Sequence, residues 1–381
     1  MISLPNLAYA RPAIAAFAAM GILWGTFAAV LPDLMTMLGV DESQLGLLIF
    51  CTPIAAISAM LVAPGFGAAT GRAALPLAVG LMALAFALPG QVPVWWLFPL
   101  ALACAGAATG LTDVLMNARV AAMETSRGLH LMNLAHAAYS FGYAGGAVMT
   151  GVLRGAGWGP AHVMGTMAVA GLVCGLLTLE RDGRIEGLRK PKDGSAGSLG
   201  WVPVIGGGIV LIAFMTENAA ENWSALHIEK TLGGSPEQGA LGPAMLALTM
   251  GFARLGGQGL AGRVNPFTLL RLGAVIAAAG ALVVSQAPAP GLAYLGFFVM
   301  GIGASVLAPT AFSLVGQLSD PRARARAVAR ATLLGYFGYF VGPPLLGVIA
   351  GSFGLRSAFV YAACLVAMVF VLAPVLARQR T

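Results

Sequence analysis

The sequence predicts an all-α membrane protein whose twelve transmembrane helices form two pseudo-symmetric six-helix bundles. Three observations predict it. Hydrophobic residues make up 59% of the 381 positions and charged ones only 9%. That is too little charge to cover a water-soluble protein of this size, so lipid must be the main solvent. The apolar residues fall in long continuous runs, unlike the alternating pattern of a membrane β-barrel. At roughly 20 residues per span plus short connections, the length accommodates about twelve spans.

The first run, 12–38, is too long for a signal-peptide core and lacks a small-residue cleavage site, so it reads as an uncleaved first helix. Polar breaks then separate runs at 44–63, 74–90, 94–118, 131–153 and 161–179, the fourth with room to run on to Glu124. In the second half the runs are 201–228, 240–260, 267–287, 291–316, 327–350 and 357–377. Breaks such as Pro89-Gly90-Gln91-Val92-Pro93 and Ala287-Pro288-Ala289-Pro290 are short turns that join antiparallel neighbours. A wrong count would scramble the distribution of basic residues between the two sides. With both termini cytoplasmic, all but Arg154, Lys230 and Arg356 of the 21 Lys and Arg fall inside. The net charge of +7 therefore belongs to loops that meet anionic lipid headgroups and fix topology, which leaves no case for nucleic acid. Cys51, Cys104, Cys174 and Cys364 sit in apolar runs without metal or redox spacing and read as packing residues.

The one long polar connection, Glu180 to Leu199, carries Arg181, Arg184, Arg189, Lys190 and Lys192 among Gly and Ser. It divides the chain into an N-terminal bundle (1–180), a cytoplasmic linker (181–199) and a C-terminal bundle (200–381). The halves echo one another at a shift of 196 residues: Phe141-Gly142-Tyr143 with Phe337-Gly338-Tyr339, Gly146 with Gly342, Gly151-Val152 with Gly347-Val348, Gly155 with Gly351, and Glu124 with Asp320. A second echo pairs Gly71-Arg72 with Gly262-Arg263. Ordered self-similarity of this kind is what an ancient duplication leaves. Two parallel halves joined by a linker is the layout of a rocking transporter with its site between them.

Helices four and five read Gly110-Leu111-Thr112-Asp113-Val114-Leu115-Met116-Asn117-Ala118, then Glu124, then His136-Ala137-Ala138-Tyr139-Ser140-Phe141-Gly142. Helix seven reads Glu217-Asn218-Ala219-Ala220-Glu221-Asn222-Trp223-Ser224-Ala225. With these stretches the chain resembles the major facilitator superfamily over essentially its whole length, and within it the bacterial MosC-like branch, related to sugar and inositol-derivative permeases. The resemblance implies the major facilitator fold, a bacterial inner-membrane location and secondary transport. Two departures stand out. The family's loop signature has an Asp and a basic residue before Gly-Arg, but here Ala68 and Ala69 occupy those places and Gly71 and Arg72 remain. In the second half Arg254 fits, with Gln258 or Gly259 where an acid is usual. Helix five, reading Gly142-Tyr143-Ala144-Gly145-Gly146, also lacks the Gly-Pro pair of drug/proton antiporters, which lowers the efflux reading.

A carboxylate in the hydrocarbon core is costly unless paired, hydrated or protonated, so acids within spans are functional candidates. Asp113 lies about 27 Å along helix four from the interfacial Trp95-Trp96 pair, in that helix's cytoplasmic half. Asp113, Asn117 and Glu124 form one polar stripe, which lipid cannot satisfy. Asp113 is a proton carrier in this reading, with Asn117 bonding substrate or the carboxyl; the alternative is a packing role or a clasp on Arg119 or Arg127. Glu217 and Glu221 stand one turn apart, where both cannot be comfortably ionised, so this pair is suited to proton exchange and reached from the outside. Asn218 and Asn222 flank them as substrate ligands. The alternative places Glu221 at a wet outer mouth.

His136, Tyr139, Ser140 and Tyr143 share one face of helix five. His136 is a candidate proton relay or a satisfied packing residue. Trp24 and Thr26 of helix one, with Tyr336 and Tyr339 of helix eleven, offer a wall for a ring-shaped substrate, against the plainer reading of aromatics as core or interface anchors. Gly71, Arg72, Glu124, Arg254, Gly262, Arg263 and Asp320 are the gating candidates, and Asp33 reads as a solvated end or gate residue.

The expected function is proton-coupled symport of a small polar, sugar- or inositol-like solute by a monomer, with no cofactor and no metal. An exporter of drugs or metabolites would line its site with mainly apolar groups. A non-transporting sensor would show no proton-linked flux. No Walker loop is present, and no nucleophile-base or metal-ligand set points to an enzyme.

Overall fold

A computed structural model describes residues 4–129, 131–185, 199–256, 264–320 and 322–379. The first half holds α1 (Leu4–Leu38), α2 in two pieces (Glu42–Ile49 and Cys51–Thr70), α3 (Ala74–Ala87), α4 (Phe98–Arg127), α5 (Met132–Gly155) and α6 (Pro160–Leu176). The second holds α7 (Val202–Leu226), α8 (Pro236–Gly256), α9 (Pro266–Gln286), α10 (Pro290–Leu318), α11 (Arg324–Phe353) and α12 (Leu355–Ala367, continued by Val369–Ala377). The architecture is the predicted one, twelve transmembrane helices in two six-helix bundles. Helix four runs beyond Glu124 to Arg127. The second extends seven residues past its expected end because α2 remains helical to Thr70, and it breaks at Phe50. Pro53 explains that break, since it has no N–H to offer the carbonyl of Ile49.

By length and hydropathy alone, eight described stretches suffice to cross a membrane, one of them a 50-residue stretch, Glu42–Gln91, that contains both α2 and α3. The exceptions are informative. α6 is apolar but short, and α5 and α8 miss on composition. Those two helices pack on each other across the boundary between the halves, where a polar face is affordable because it never meets lipid.

The pairing of helices follows the repeat. α1 packs along α5, and α7 packs along α11 in the same way. Between halves, α5 meets α8 and α2 meets α11. Small residues allow these approaches: Gly21 and Gly25 of α1 lie on the backbone at Tyr139 and Tyr143, while Gly142 and Gly146 of α5 lie on the backbone at Ala18 and Ile22. Leu61, Leu100, Leu176 and Phe252 are exposed on the outer surface, as lipid-facing side chains must be. Cys104 and Cys364 are exposed as well, so they do not fill the core as expected. Cys51 and Cys174 are half-buried and all four are free thiols.

The end of the molecule that carries the connection between α6 and α7 is here the linker end, and the opposite end the far end. At the far end α7 finishes in a π-helical turn, His227–Thr231. Such turns re-aim side chains, and this one carries Glu229 and Lys230.

Candidate functional site

The far end is fastened by charge. Arg154, in the last turn of α5, is buried to 5% exposure. Its guanidinium donates to Asp33 of α1 at 2.8 and 2.6 Å and to Glu229 of α7 at 2.7 and 2.9 Å, with a further bond to the carbonyl of Ala29. Lys230 adds a second tie between halves, 2.9 Å to Glu42 of α2. Ser43 donates to the carbonyl of Gly347 on α11. Breaking such a buried cluster leaves uncompensated charge, so it holds its two sides firmly together. The three basic residues that violated the charge rule are thereby explained, because Arg356 too is engaged, donating to the carbonyls of Ser285 and Ala287. Asp33 is thus an ion-paired span end, and the sequence reading missed its partner Arg154 and the Glu229 that shares it. The signal was available: a charged residue at a span end on the wrong side needs a counter-charge.

Toward the linker end the halves part on one side. The outer piece of α2 lies along α11, while its inner piece, Cys51–Thr70, hardly meets that helix.

Between these two levels lies a polar centre to which both halves contribute. On α4, Asn117 donates to the carbonyl of Asp113 at 2.9 Å and to its carboxylate at 3.1 Å. Tyr336 of α11 donates to the other carboxylate oxygen at 3.4 Å, which joins the halves. On α7, Glu217 is 6% exposed and Glu221 half-buried. Neither carboxylate has a hydrogen-bond or ion-pair partner among the described residues. Arg254 of α8 is close enough to act electrostatically on both, and its guanidinium donates to Ser140 of α5 at 2.7 Å. Tyr139 and Tyr143 stand 6.0 Å apart on α5, and Tyr336 and Tyr339 6.2 Å apart on α11. Charges on Glu217 and Glu221 reach Tyr139 and Tyr339 from opposite halves, so acids and phenols share one space. Phe214, which the sequence reading did not select, stacks on Tyr339 at 4.8 Å and fixes its ring.

The remaining candidates make contacts of their own. His136 packs edge-on against Phe17 of α1 at 5.0 Å, within its own half. Trp24 is held between Phe27 and Phe86 and touches the cluster that includes Tyr139. Thr26 is buried with an unpartnered hydroxyl. Asn218 lies against Gly342 in the α7–α11 contact, its carbonyl oxygen unpaired among the described residues. Asn222 is buried near it.

Of the gating set, Arg254 belongs to the polar centre. Glu124 caps the start of α5, accepting from the amides of Leu131 and Met132, the latter at 2.8 Å; it leaves the stripe begun by Asp113 because four orphan amides at a helix start attract a carboxylate. Asp320 is exposed and accepts from the amide of Arg322 in its own turn. Gly71, with φ of 58°, ends α2 in a backbone conformation that glycine favours, and Arg72 follows it, exposed. Gly262 and Arg263 lie outside the described residues. Arg119, one of the basic partners weighed for Asp113, instead grips Glu180 at 3.0 and 2.6 Å and the carbonyls of Asp182 and Arg184, pinning the start of the linker to α4.

Two membrane-embedded six-helix bundles that enclose a polar centre, fastened at one end and parted at the other, define a solute transporter. The family model of the Major Facilitator Superfamily matches residues 13–303 and 205–381, and the chain belongs to that superfamily. An uncharacterised transporter of this type from Yersinia pestis is 30% identical over 347 residues, covering 90% of this chain and 89% of the relative. The membrane protein MosC of Rhizobium meliloti is 24% identical over 351 residues, covering 90% and 83%, in keeping with the resemblance read from helices four, five and seven. Among solved structures, a nucleoside transporter superposes with a TM-score of 0.77 at 15% identity, covering 99% of this chain and all of that one. A D-xylose-proton symporter superposes with a TM-score of 0.71 at 16% identity, covering 96% and 97%. At those identities the likeness concerns the fold.

Proposed function

We propose that the chain is a proton-coupled symporter that brings a small polar, sugar- or inositol-like solute across the bacterial inner membrane. The carrying observation is the pair of carboxylates, Glu217 and Glu221, without hydrogen-bond or ion-pair partners among the described residues and set among tyrosines from both halves with Arg254 in range. An acid so placed is cheapest when it holds a proton. A proton taken up with substrate lets the loaded centre pass through a closed intermediate, which an unpaired charge would oppose.

Both termini and the linker are cytoplasmic in this reading, which makes the conformation inward-facing: latched at the periplasmic end, parted at the cytoplasmic end. The bundles 1–180 and 200–381 rock about the centre as units, joined by 181–199, and the chain works as a monomer. Tyr139, Tyr143, Tyr336 and Tyr339 supply ring faces and hydroxyls to a polyol, and Asn117, Asn222 and Ser140 add polar contacts. Asp113, bound by Asn117 and by Tyr336 of the opposite half, links proton occupancy to closure. Support for a polyhydroxylated substrate also comes from the named sugar-proton symporters among the structural neighbours.

The test is solute-induced proton uptake into proteoliposomes, followed with a pH-sensitive dye across inositols, hexoses and amino sugars. External alkalinisation with one solute supports the reading. Flux of a solute with no proton movement rejects the coupling, and proton release from the lumen during solute exit against the gradient indicates an exporter.

A further inference from the structure

A second polar site lies far from the centre, at the linker end of the first bundle. The turn between α2 and α3 and the first residues after α6 enclose a cavity of about 590 Å³. Three arginines line it: Arg72 from the turn, and Arg181 and Arg184 from the start of the linker; among the described residues Asp182 is the only acid in its wall. All three arginines are exposed, and none of their guanidinium groups has an acidic partner among the described residues. Ala68 and Ala69 also lie in the wall, so the side chains just before Arg72 offer it no counter-charge.

The cavity is built, because both of its sides are held in place. Arg119 grips Glu180 and the carbonyls of Asp182 and Arg184, and Gly183 is buried against the backbone of Arg72. The arginines are therefore presented in one place without neutralising one another. The helix ends that lead into these residues expose leucines: Leu77 in the first turn of α3, Leu176 at the end of α6, and Leu177 and Leu179 just past it. A concentration of cationic forks next to apolar surface at a helix-end level matches a molecule with a phosphate at one end and hydrocarbon at the other. Guanidinium binds phosphate oxygens in pairs, and each basic residue near a membrane surface contributes about 1 kcal/mol toward anionic lipid.

We propose that this cavity binds the phosphodiester headgroup of an anionic phospholipid, with Arg72, Arg181 and Arg184 on the phosphate and the acyl chains along Leu77, Leu176 and Leu179. The site requires only that the linker end lie at a membrane surface, and it is independent of what the transporter carries.

The experiment is native mass spectrometry of the full chain released from detergent in the presence of phosphatidylglycerol or phosphatidylcholine. Wild type should retain phosphatidylglycerol preferentially. The combined variant Arg72→Ala, Arg181→Ala and Arg184→Ala should weaken that retention on the order of a hundredfold while remaining monodisperse with an unchanged melting temperature. The variant Arg72→Lys, Arg181→Lys and Arg184→Lys should recover part of it, since charge remains and the planar forks do not. Equal retention of the two lipids by wild type, or unchanged retention in the alanine variant, overturns the site. Displacement of phosphatidylglycerol by millimolar inorganic phosphate overturns the lipid as its occupant.

Discussion

Arg154 of α5 and Glu229 of α7 face each other across the two halves of the molecule in a two-pronged ion pair, 2.7 Å from Nη1 to Oε1 and 2.9 Å from Nη2 to Oε2. The same guanidinium is also bound to Asp33 of its own half. One cation thus serves two acids, and of its two attachments only the one to Glu229 crosses between the halves.

That asymmetry predicts different outcomes for the two partners. Glu229→Gln removes the charge that spans the halves but leaves Arg154 paired with Asp33. Its expected effect is a shift toward the form open at the far end, read as longer distances between spin labels placed at the far ends of α2 and α11. Arg154→Ala strands two acids and is expected to destabilise the protein by about 3 kcal/mol, lowering the melting temperature in detergent. Unchanged label distances in Glu229→Gln would show that this pair does not latch the end.

Substitutions of the central acids separate coupling from binding. Glu217→Gln and Asp113→Asn retain hydrogen-bonding shape and lose the titrating group. Both are expected to keep solute exchange at equal concentrations on the two sides while losing accumulation driven by a proton gradient. Accumulation at the wild-type level in both variants would reject the assigned role.

Tyr339 is expected to act through its ring, which Phe214 holds in a stacked position. Tyr339→Phe should keep transport within about twofold, and Tyr339→Ala should raise the apparent KM about fivefold, as the loss of one aromatic contact of about 1 kcal/mol implies. The reverse order, with Phe as damaging as Ala, would assign the effect to the hydroxyl.

The contact of α1 with α5 leaves no room for side chains. Gly25→Val would push into the backbone at Tyr143, and it is expected to prevent recovery of folded protein from the membrane. Gly65→Ala, at a position with open space around it, is the control and should express normally.

The sequence carried the architecture because span count, charge sidedness and the 196-residue echo each constrain it independently, while the break at Phe50, the reach of α2 to Thr70 and the π-helical end of α7 escaped. The centre was legible where lipid forbids a residue: Asp113, Glu217 and Glu221 had to face an interior. Partners were harder to read. Glu124 shares a helical face with Asp113, yet its carboxylate turns to the amides of Leu131 and Met132, a preference set by the loop after α4. Arg254 looked like a loop charge, but a long side chain near a helix end reaches well back along the helix, and here it finds Ser140. Asn218 and Asn222 adjoin the acids in sequence, but a helix turns 100° per residue, which carries Asn218 to Gly342.

α5 is attached to the second half at two levels, through Arg154 to Glu229 and through Ser140 to Arg254, with Gly151 seated against α8 between them and Gly155 just beyond. The opposite seam, α2 with α11, is closed only along the far piece of α2. A molecule joined this way does not gape evenly around its mouth. In the proposed alternating-access cycle the linker end would then open along α2 and α11, with α5 and α8, which carry Tyr139, Tyr143 and Arg254, as the closed side.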